Sequence, residues 1–211
     1  MPDEPFEFKK SQKAYLGFKR FLDLFLSFLG ILLLSWLLII LAIITKCTSK
    51  GPAFYKQTRI GKDEKLFTMY KFRSMKADTP AIAPNDMTEE EQSSMTTKWG
   101  RFIRKTSLDE LPQLFNILNG NMSFIGPRPQ QEKEKEEKCY VARMATNPNA
   151  FTVKPGLCSL AIIKMHRSHD PKEKAAYDSE YVRRVSFGLD ARIFFTAIGI
   201  LFGFRPKDRG H

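Results

Sequence analysis

From Leu24 to Thr45 the chain reads LFLSFLGILLLSWLLIILAIIT, without one charged residue. A helix over this stretch reaches roughly 33 Å at about 1.5 Å per residue, enough to cross the hydrocarbon core of a bilayer. Leu and Ile fall on every helical face, which favours lipid over a buried core helix. A cleaved signal peptide is disfavoured because the stretch is too long and has no small-x-small exit. The segment is therefore expected to stay in the protein as a membrane element.

Its flanks do not choose an orientation. Lys9, Lys10, Lys13, Lys19 and Arg20 precede it, and Lys46, Lys50, Lys56 and Arg59 follow it, so both ends favour the cytoplasm under the positive-inside rule. A re-entrant helix-break-helix satisfies both ends, with the break expected at Ser35, whose hydroxyl can bond a carbonyl one turn back, and with Gly30 adding laxity. Asp23 is expected to pair with Lys19 or Arg20 on the same helix surface. The chain is expected to divide into a basic tail (residues 1–18), a membrane-embedded helix (19–48) and a folded domain (49–211).

The net charge of +11 and 18 Phe in 211 residues point to a partner that is anionic and partly apolar. Cys47, Cys139 and Cys158 form no Cys-x-x-Cys pair, which excludes a disulfide framework or zinc ribbon; Cys47 and Cys158 are read as small hydrophobes. A nucleic-acid binder finds support in charge alone, since no helix-turn-helix, RNP or finger pattern is present, and nucleic acid is not expected as a partner.

Beyond the apolar segment, residues 51–75 read as a β-hairpin with interleaved basic residues, and alternation puts Lys71 and Arg73 on one face. Residues 77–97 read as a long loop, with a lid and a plain insertion equally open. The run after Arg128 reads as a charged, solvated helix; residues 152–165 as a Pro-Gly turn followed by a strand; and the residues from Lys172 onward as two helices, the second either packed in the core or interfacial with Arg205 and Lys207 as anchors. The expected class is α+β: a membrane helix, re-entrant by preference, followed by a small helix-rich catalytic domain with a β-hairpin and interfacial amphipathic helices.

The stretch TSLDELPQL sets Asp109 and Glu110 at the start of a helix whose apolar period runs through Leu111, Leu114, Phe115 and Leu118 and stops at Asn119-Gly120. Ser107-x-x-Glu110 has the form of a capping box, but Pro112 fits better with Asp109 as the cap. Two readings stay open. In the first, Asp109 caps the helix and Glu110 complements its dipole. In the second, Asp109 is a nucleophile and Glu110 holds a divalent cation, while Arg101, Arg104, Lys105 and Arg128 collect an anionic substrate. Gly126-Pro127-Arg128-Pro129 suits the second reading, because two fixed φ angles pre-organise a guanidinium for phosphate.

KQTRIGKDEKLFTMYKFRSM, GRFIRKTSLDELPQLFNILNGNMSFIGPRP, YVRRVSFGLDARIFF and the entry helix KRFLDLFLSFLGILLLS together resemble the bacterial sugar transferases known as monotopic phosphoglycosyl transferases. The resemblance implies transfer of a sugar-1-phosphate from a UDP-sugar to polyprenol (undecaprenyl) phosphate with release of UMP, as the first membrane step of glycan assembly. It implies Asp109 as the nucleophile that becomes phosphosugar-linked, Glu110 as a ligand of Mg²⁺, and Arg128 as a phosphate ligand; the basic residues around them add Arg104, Lys71, Arg73, Arg101 and Lys105 as further phosphate-binding candidates. It also implies a re-entrant helix on the cytoplasmic face of the bacterial inner membrane; oligomeric state, including a homodimer, is left open.

The chain departs from the family in two places. Ser35-Trp36 replaces a Ser-Pro break. In KPGLCSLAIIKMHR, Lys154, Ser159, Ile162 and Met165 replace the arginine, second glycine, glutamine and third glycine of the family's pattern, with Arg167 near its last arginine. An inactive membrane-bound scaffold of the same fold is therefore the alternative expectation. His166 and His169 lack a nearby third ligand and read as surface.

Overall fold

The computed structural model describes residues 5–48, 51–76, 95–132, 136–165, 170–201 and 203–204. Most of the expected long loop, the His166-x-x-His169 pair with Arg167, and the anchors Arg205 and Lys207 lie outside these residues. Within them the class is α+β, as expected: a long apolar N-terminal helix, small sheets and shorter helices.

Helix α1 (Lys10–Thr48) is unbroken through Ser35. Ser35 Oγ does donate to the Leu32 carbonyl, at 2.9 Å. Without a proline, the serine bond alone leaves the backbone ladder intact, so the expected break is not an interruption of the helix. The helix also starts well before Lys19, which removes most of the expected free tail. Gln12 Nε2 donates to the Arg183 carbonyl at 2.9 Å and Tyr15 Oη to Asp190 at 2.7 Å, giving those first turns tertiary partners.

One stripe of α1 packs along the rest of the protein. Lys19, Asp23, Ser27, Leu38, Leu41 and Thr45 are buried on it, at the spacing of successive helical turns. Ile31 and Leu34 complete the stripe against Met69, Leu114, Ile117 and Met122. Leu38 and Leu41 pack with Phe72 and Ile103. The stripe was hidden in the sequence because the other faces are equally apolar: Phe21, Phe25, Phe28, Leu32, Leu33, Trp36, Ile39 and Ile43 stay exposed. Its polar members were the available signal. Asp23 does not pair within the helix as expected; it accepts from Ser123 Oγ and the Phe124 N–H, each at 3.1 Å. Lys19 goes instead to Asp190, and Arg20 donates to the Ile117 and Leu118 carbonyls.

The hairpin forms as predicted, from β1 (Phe54–Ile60) and β2 (Leu66–Phe72), antiparallel with Lys56 opposite Tyr70. Helices α2 (Lys98–Lys105) and α3 (Gln113–Leu118) follow. Thr97 caps α2 by accepting from Gly100 N–H at 2.8 Å, and a Cβ at Gly100 would stand 1.8 Å from the Ser74 carbonyl oxygen, so only glycine lets α2 approach this strand end so closely. Asn116 of α3 docks on the open edge of β2, donating to the Thr68 carbonyl at 2.6 Å and accepting from Tyr70 N–H at 3.0 Å. A buried amide thus satisfies an edge that would otherwise be unpaired.

Strand β3 (Ser123–Ile125) pairs in parallel with β5 (Gly156–Cys158), while β4 (Gln130–Gln131) joins β1. The helix expected from Gln130 onward forms only as α4 (Glu137–Met144): Gln130 and Gln131 are instead buried in β4, and Arg143 within the helix is buried too. The expected strand after Pro155-Gly156 is confined to β5. Its continuation is helix α5 (Leu160–Lys164), because Ser159 caps it by accepting from Ile162 N–H at 3.2 Å. The two C-terminal helices are α6 (Pro171–Arg184) and α7 (Phe187–Leu201). Of the cysteines, Cys47 is exposed near the end of α1, and Cys139 and Cys158 are half-buried.

Candidate functional site

Asp109 and Glu110 sit on a separate 3₁₀ turn (Leu108–Glu110), before α3 rather than within it. Ser107 enters the turn in the left-handed region at φ 55°, and its side chain makes no capping bond. The capping-box register is therefore absent, and α3 begins after Pro112 with no side-chain cap. Asp109 does not cap a helix, so the bland reading of the acid pair fails on geometry. The C-terminal signal does hold: Gly120, at φ +86°, ends α3 after Asn119.

Glu110 Oε1 accepts from Lys71 Nζ at 2.7 Å and lies 3.5 Å from an Arg128 guanidinium nitrogen. Burial pushes the Glu110 carboxyl up, but Lys71 and Arg128 outweigh it and hold the group below its ordinary value. The Lys71 ammonium moves down, because burial outweighs the pull of Glu110. Asp109 is 8% exposed and moves up: burial acts first and the neighbouring Glu110 adds to it, while Lys71 and Arg104 oppose. Two adjacent carboxyls are thus driven in opposite directions by their surroundings, the pattern by which sites separate the roles of like groups.

The predicted cations do not all converge. Lys71 and Arg128 contact Glu110, and Arg104 of α2 is near enough to influence Asp109. Arg101 and Lys105 lie on exposed parts of the same helix. Arg73 falls just past β2, and its guanidinium lies against Gly51, where a Cβ would stand 2.0 Å from it. Strand alternation therefore brought Lys71 to the acids but not Arg73, since β2 ends at Phe72 and the chain leaves the sheet.

The Pro127-Arg128-Pro129 turn is held by its carbonyls, the only hydrogen-bonding backbone groups its prolines have. The Pro127 oxygen accepts from Gly156 N–H at 2.8 Å. The Arg128 oxygen accepts from Arg143 at 3.0 Å, and that of Pro129 from Arg59 at 3.1 Å. A Cβ at Gly156 would stand 2.0 Å from the Gly126 nitrogen, so the two glycines allow β3 and β5 to bring the turn against the site.

Arg59 and Arg143 are residues that sequence reasoning missed. Arg59 also donates to Gln57 Oε1 at 2.7 Å, and burial pushes its guanidinium down to about 10. Arg143 forms a buried ion pair with Asp178 at 2.6 Å. Arg59, between Thr58 and Ile60, and Arg143, between Ala142 and Met144, carry no local motif, and only the turn's free carbonyls imply donors. Arg59, Met69, Lys71, Glu110, Gln113, Arg128, Pro129, Gly156 and Leu157 line one cleft. No cluster of three or more His, Cys, Asp and Glu suited to a metal occurs among the described residues.

These observations define a small α+β domain with an acid pair in a basic cleft, fastened along a helix long and apolar enough to cross a membrane. The chain belongs to the bacterial sugar transferase family, whose model matches residues 14–203.

It is 39% identical over 189 residues to the UDP-glucose:undecaprenyl-phosphate glucose-1-phosphate transferase of Klebsiella pneumoniae, which covers 86% of this chain and 39% of that one. It is 33% identical over 189 residues to the exopolysaccharide production protein PSS of Rhizobium leguminosarum bv. phaseoli, covering 87% and 94%. A putative undecaprenyl-phosphate N-acetylgalactosaminyl 1-phosphate transferase of Bacillus subtilis matches at 40% over 126 residues, 60% of this chain and 69% of that protein. The chain spans 39% of the length of the glucose-1-phosphate transferases it matches.

Proposed function

We propose that this protein transfers a sugar-1-phosphate from a UDP-sugar to undecaprenyl phosphate, releasing UMP and starting the assembly of a polysaccharide or glycoconjugate. The observation that carries this reading is Asp109 itself: a buried carboxylate without a capping role, beside a glutamate already engaged by two cations. Family membership and the names of the relatives supply the substrate class.

In the first step an Asp109 carboxylate oxygen attacks the β-phosphorus of the donor. A P–O bond forms as the bond to the α-phosphate oxygen breaks, and UMP leaves. In the second step a phosphate oxygen of the polyprenol attacks the same phosphorus and displaces the Asp109 carboxylate. Arg128, fixed by its turn, and Lys71 supply positive charge where the donor's phosphates sit. Arg104 keeps Asp109 closer to ionised than burial alone allows.

Mg²⁺ fits this donor set. Magnesium is commonly held by one or two carboxylates together with substrate phosphates and water, and among the described residues Lys71 and Arg128 both engage Glu110 through Oε1. The other Glu110 oxygen would hold the ion, which would neutralise diphosphate charge when bound.

The exposed faces of α1 enter lipid in this reading, and the domain stays on the cytoplasmic side of the inner membrane. Support comes from both ends of α1: Gln12 bonds the Arg183 carbonyl, and Thr45 accepts from Trp99 Nε1 at 3.0 Å, so each end lies against the same domain. A helix that crossed a bilayer would carry its ends to opposite sides. Incubation with a panel of UDP-sugars and Mg²⁺, followed by intact-mass measurement, tests the chemistry. A phosphosugar adduct on Asp109 with stoichiometric UMP is expected; full turnover by Asp109→Asn overturns Asp109 as the nucleophile, and the absence of any adduct across the panel overturns the transferase reading and favours a scaffold.

A further inference from the structure

A second cleft lies away from the acid pair, between the β1–β2 turn and the loop after α3. Gly61, Lys62, Lys65, Phe67, Gly120 and Lys154 line it. Gly120 has no side chain, and two cations close on the space a side chain would fill. An Arg20 guanidinium nitrogen lies 3.0 Å, and Lys154 Nζ 3.5 Å, from the point where its Cβ would stand.

Arg20 is held there by the Ile117 and Leu118 carbonyls. Lys154 is half-buried, and burial, Arg20 and Lys62 all push its ammonium down, with only Asp23 acting the other way. Neither the Lys65 nor the Lys154 ammonium makes a hydrogen bond or ion pair among the described residues, and Lys62 has only Asp63, an exposed carboxylate on the rim of the same cleft, at 3.8 Å. Like charges gathered in a cleft with so little counter-charge are stabilised by an anion.

The place of the cleft says which anion. Arg20 stands one turn before Leu24, where α1 passes from charged to uncharged sequence. Leu66, 62% exposed, and Phe67 give the same cleft an apolar wall. A ligand with a phosphate at the polar boundary and methylenes beside it matches both features.

We propose that this cleft seats the phosphate of an anionic phospholipid headgroup and so fixes the depth at which the protein sits on the membrane. The proposal rests on the reading of α1 as membrane-embedded, but not on the transfer reaction. The site is separate from the acid pair: Gly156 and Leu157 line the first cleft, and Lys154 the second.

The test uses the full chain in neutral detergent micelles, titrated with phosphatidylglycerol and with phosphatidylcholine, and counts retained lipid by native mass spectrometry. Phosphatidylglycerol should be retained saturably and phosphatidylcholine should not. K62Q/K65Q/K154Q should weaken retention about tenfold or more, given about 1 kcal/mol per basic residue near an anionic surface. K9Q/K10Q/K13Q, which removes the same charge outside the cleft, should change it no more than about twofold. Lys154→Gln alone, with a thermal melt matching wild type, guards against misfolding of the triple variant and should still weaken retention.

Equal losses in both triple variants would reduce the effect to net charge and overturn the proposal. Displacement of the lipid by inorganic phosphate or UDP at comparable concentration would make it a free-phosphate or nucleotide site. Adduct formation on Asp109 is scored separately: adduct without lipid retention rejects this site and leaves the transferase reading standing, and retention without adduct does the reverse.

Discussion

Lys71 Nζ meets Glu110 Oε1 at 2.7 Å across the space between the hairpin and the 3₁₀ turn, both side chains largely shielded from water. This contact joins two elements thirty-nine residues apart in sequence. Lys71→Met should leave Glu110 without its nearest counter-ion and cost about 1–3 kcal/mol of stability. Denaturant titration measures that loss. Adduct formation should fall by about 10²-fold or more, as it does when one donor to a developing charge is removed.

Asp109 carries a pH signature of definite sign. Its folded-state pKa is raised by burial, so the folded protein holds the proton more tightly than the unfolded chain. The stability this group contributes is present at low pH and is lost as pH rises through the folded value. Asp109→Asn should therefore raise the melting temperature at neutral pH, with the difference shrinking in acid, while it abolishes the adduct. A variant that melts below wild type at neutral pH contradicts the burial argument.

The same shift governs rate. Adduct formation should rise with pH as Asp109 ionises, with its acid limb above the ordinary carboxylate range. Arg104→Gln removes a charge that lowers the Asp109 pKa, so the limb should move to higher pH. Pre-steady-state UMP release across pH reads this directly, and a limb that stays put removes Arg104 from the site.

Arg143 and Asp178 are 2% and 1% exposed, and each keeps one buried polar atom without a hydrogen-bond partner among the described residues. Arg143→Met should cost about 3–5 kcal/mol, because it strands a buried carboxylate. Arg143→Met with Asp178→Leu should cost clearly less than the single change. Thermal unfolding compares the two, and equal losses would mean that Asp178 is not stranded.

Gly156→Ala places a Cβ 2.0 Å from the Gly126 backbone nitrogen, where no side chain can yield. The strands must separate, and the Pro127 carbonyl loses its donor. A loss of about 1–3 kcal/mol or more is expected in a denaturant titration, together with a weaker donor KM as Arg128 shifts.

Some of this was open to reading in the sequence, for local reasons. The hairpin followed from alternation and a turn, the end of α3 from Asn119-Gly120, and the family from motifs that cover most of the chain. Ser159 as a cap was equally local and was overlooked beside an apolar run that resembles a strand. The stripe on α1 was masked, because packing against protein and exposure to lipid both call for Leu and Ile.

What the sequence determined by itself was therefore composition-level and motif-level: a long apolar helix, a basic domain, an acid pair before a proline, an arginine between prolines. The tertiary structure decided which charges belong together. It took Asp109 out of the helix and set Lys71, but not Arg73, against Glu110. It also hung the Arg128 turn on Arg59, Arg143 and Gly156. The physical reason is that charge pairing and carbonyl satisfaction depend on distance in space. Residues far apart in the chain meet only after the apolar surfaces of α1, the hairpin and α3 have packed.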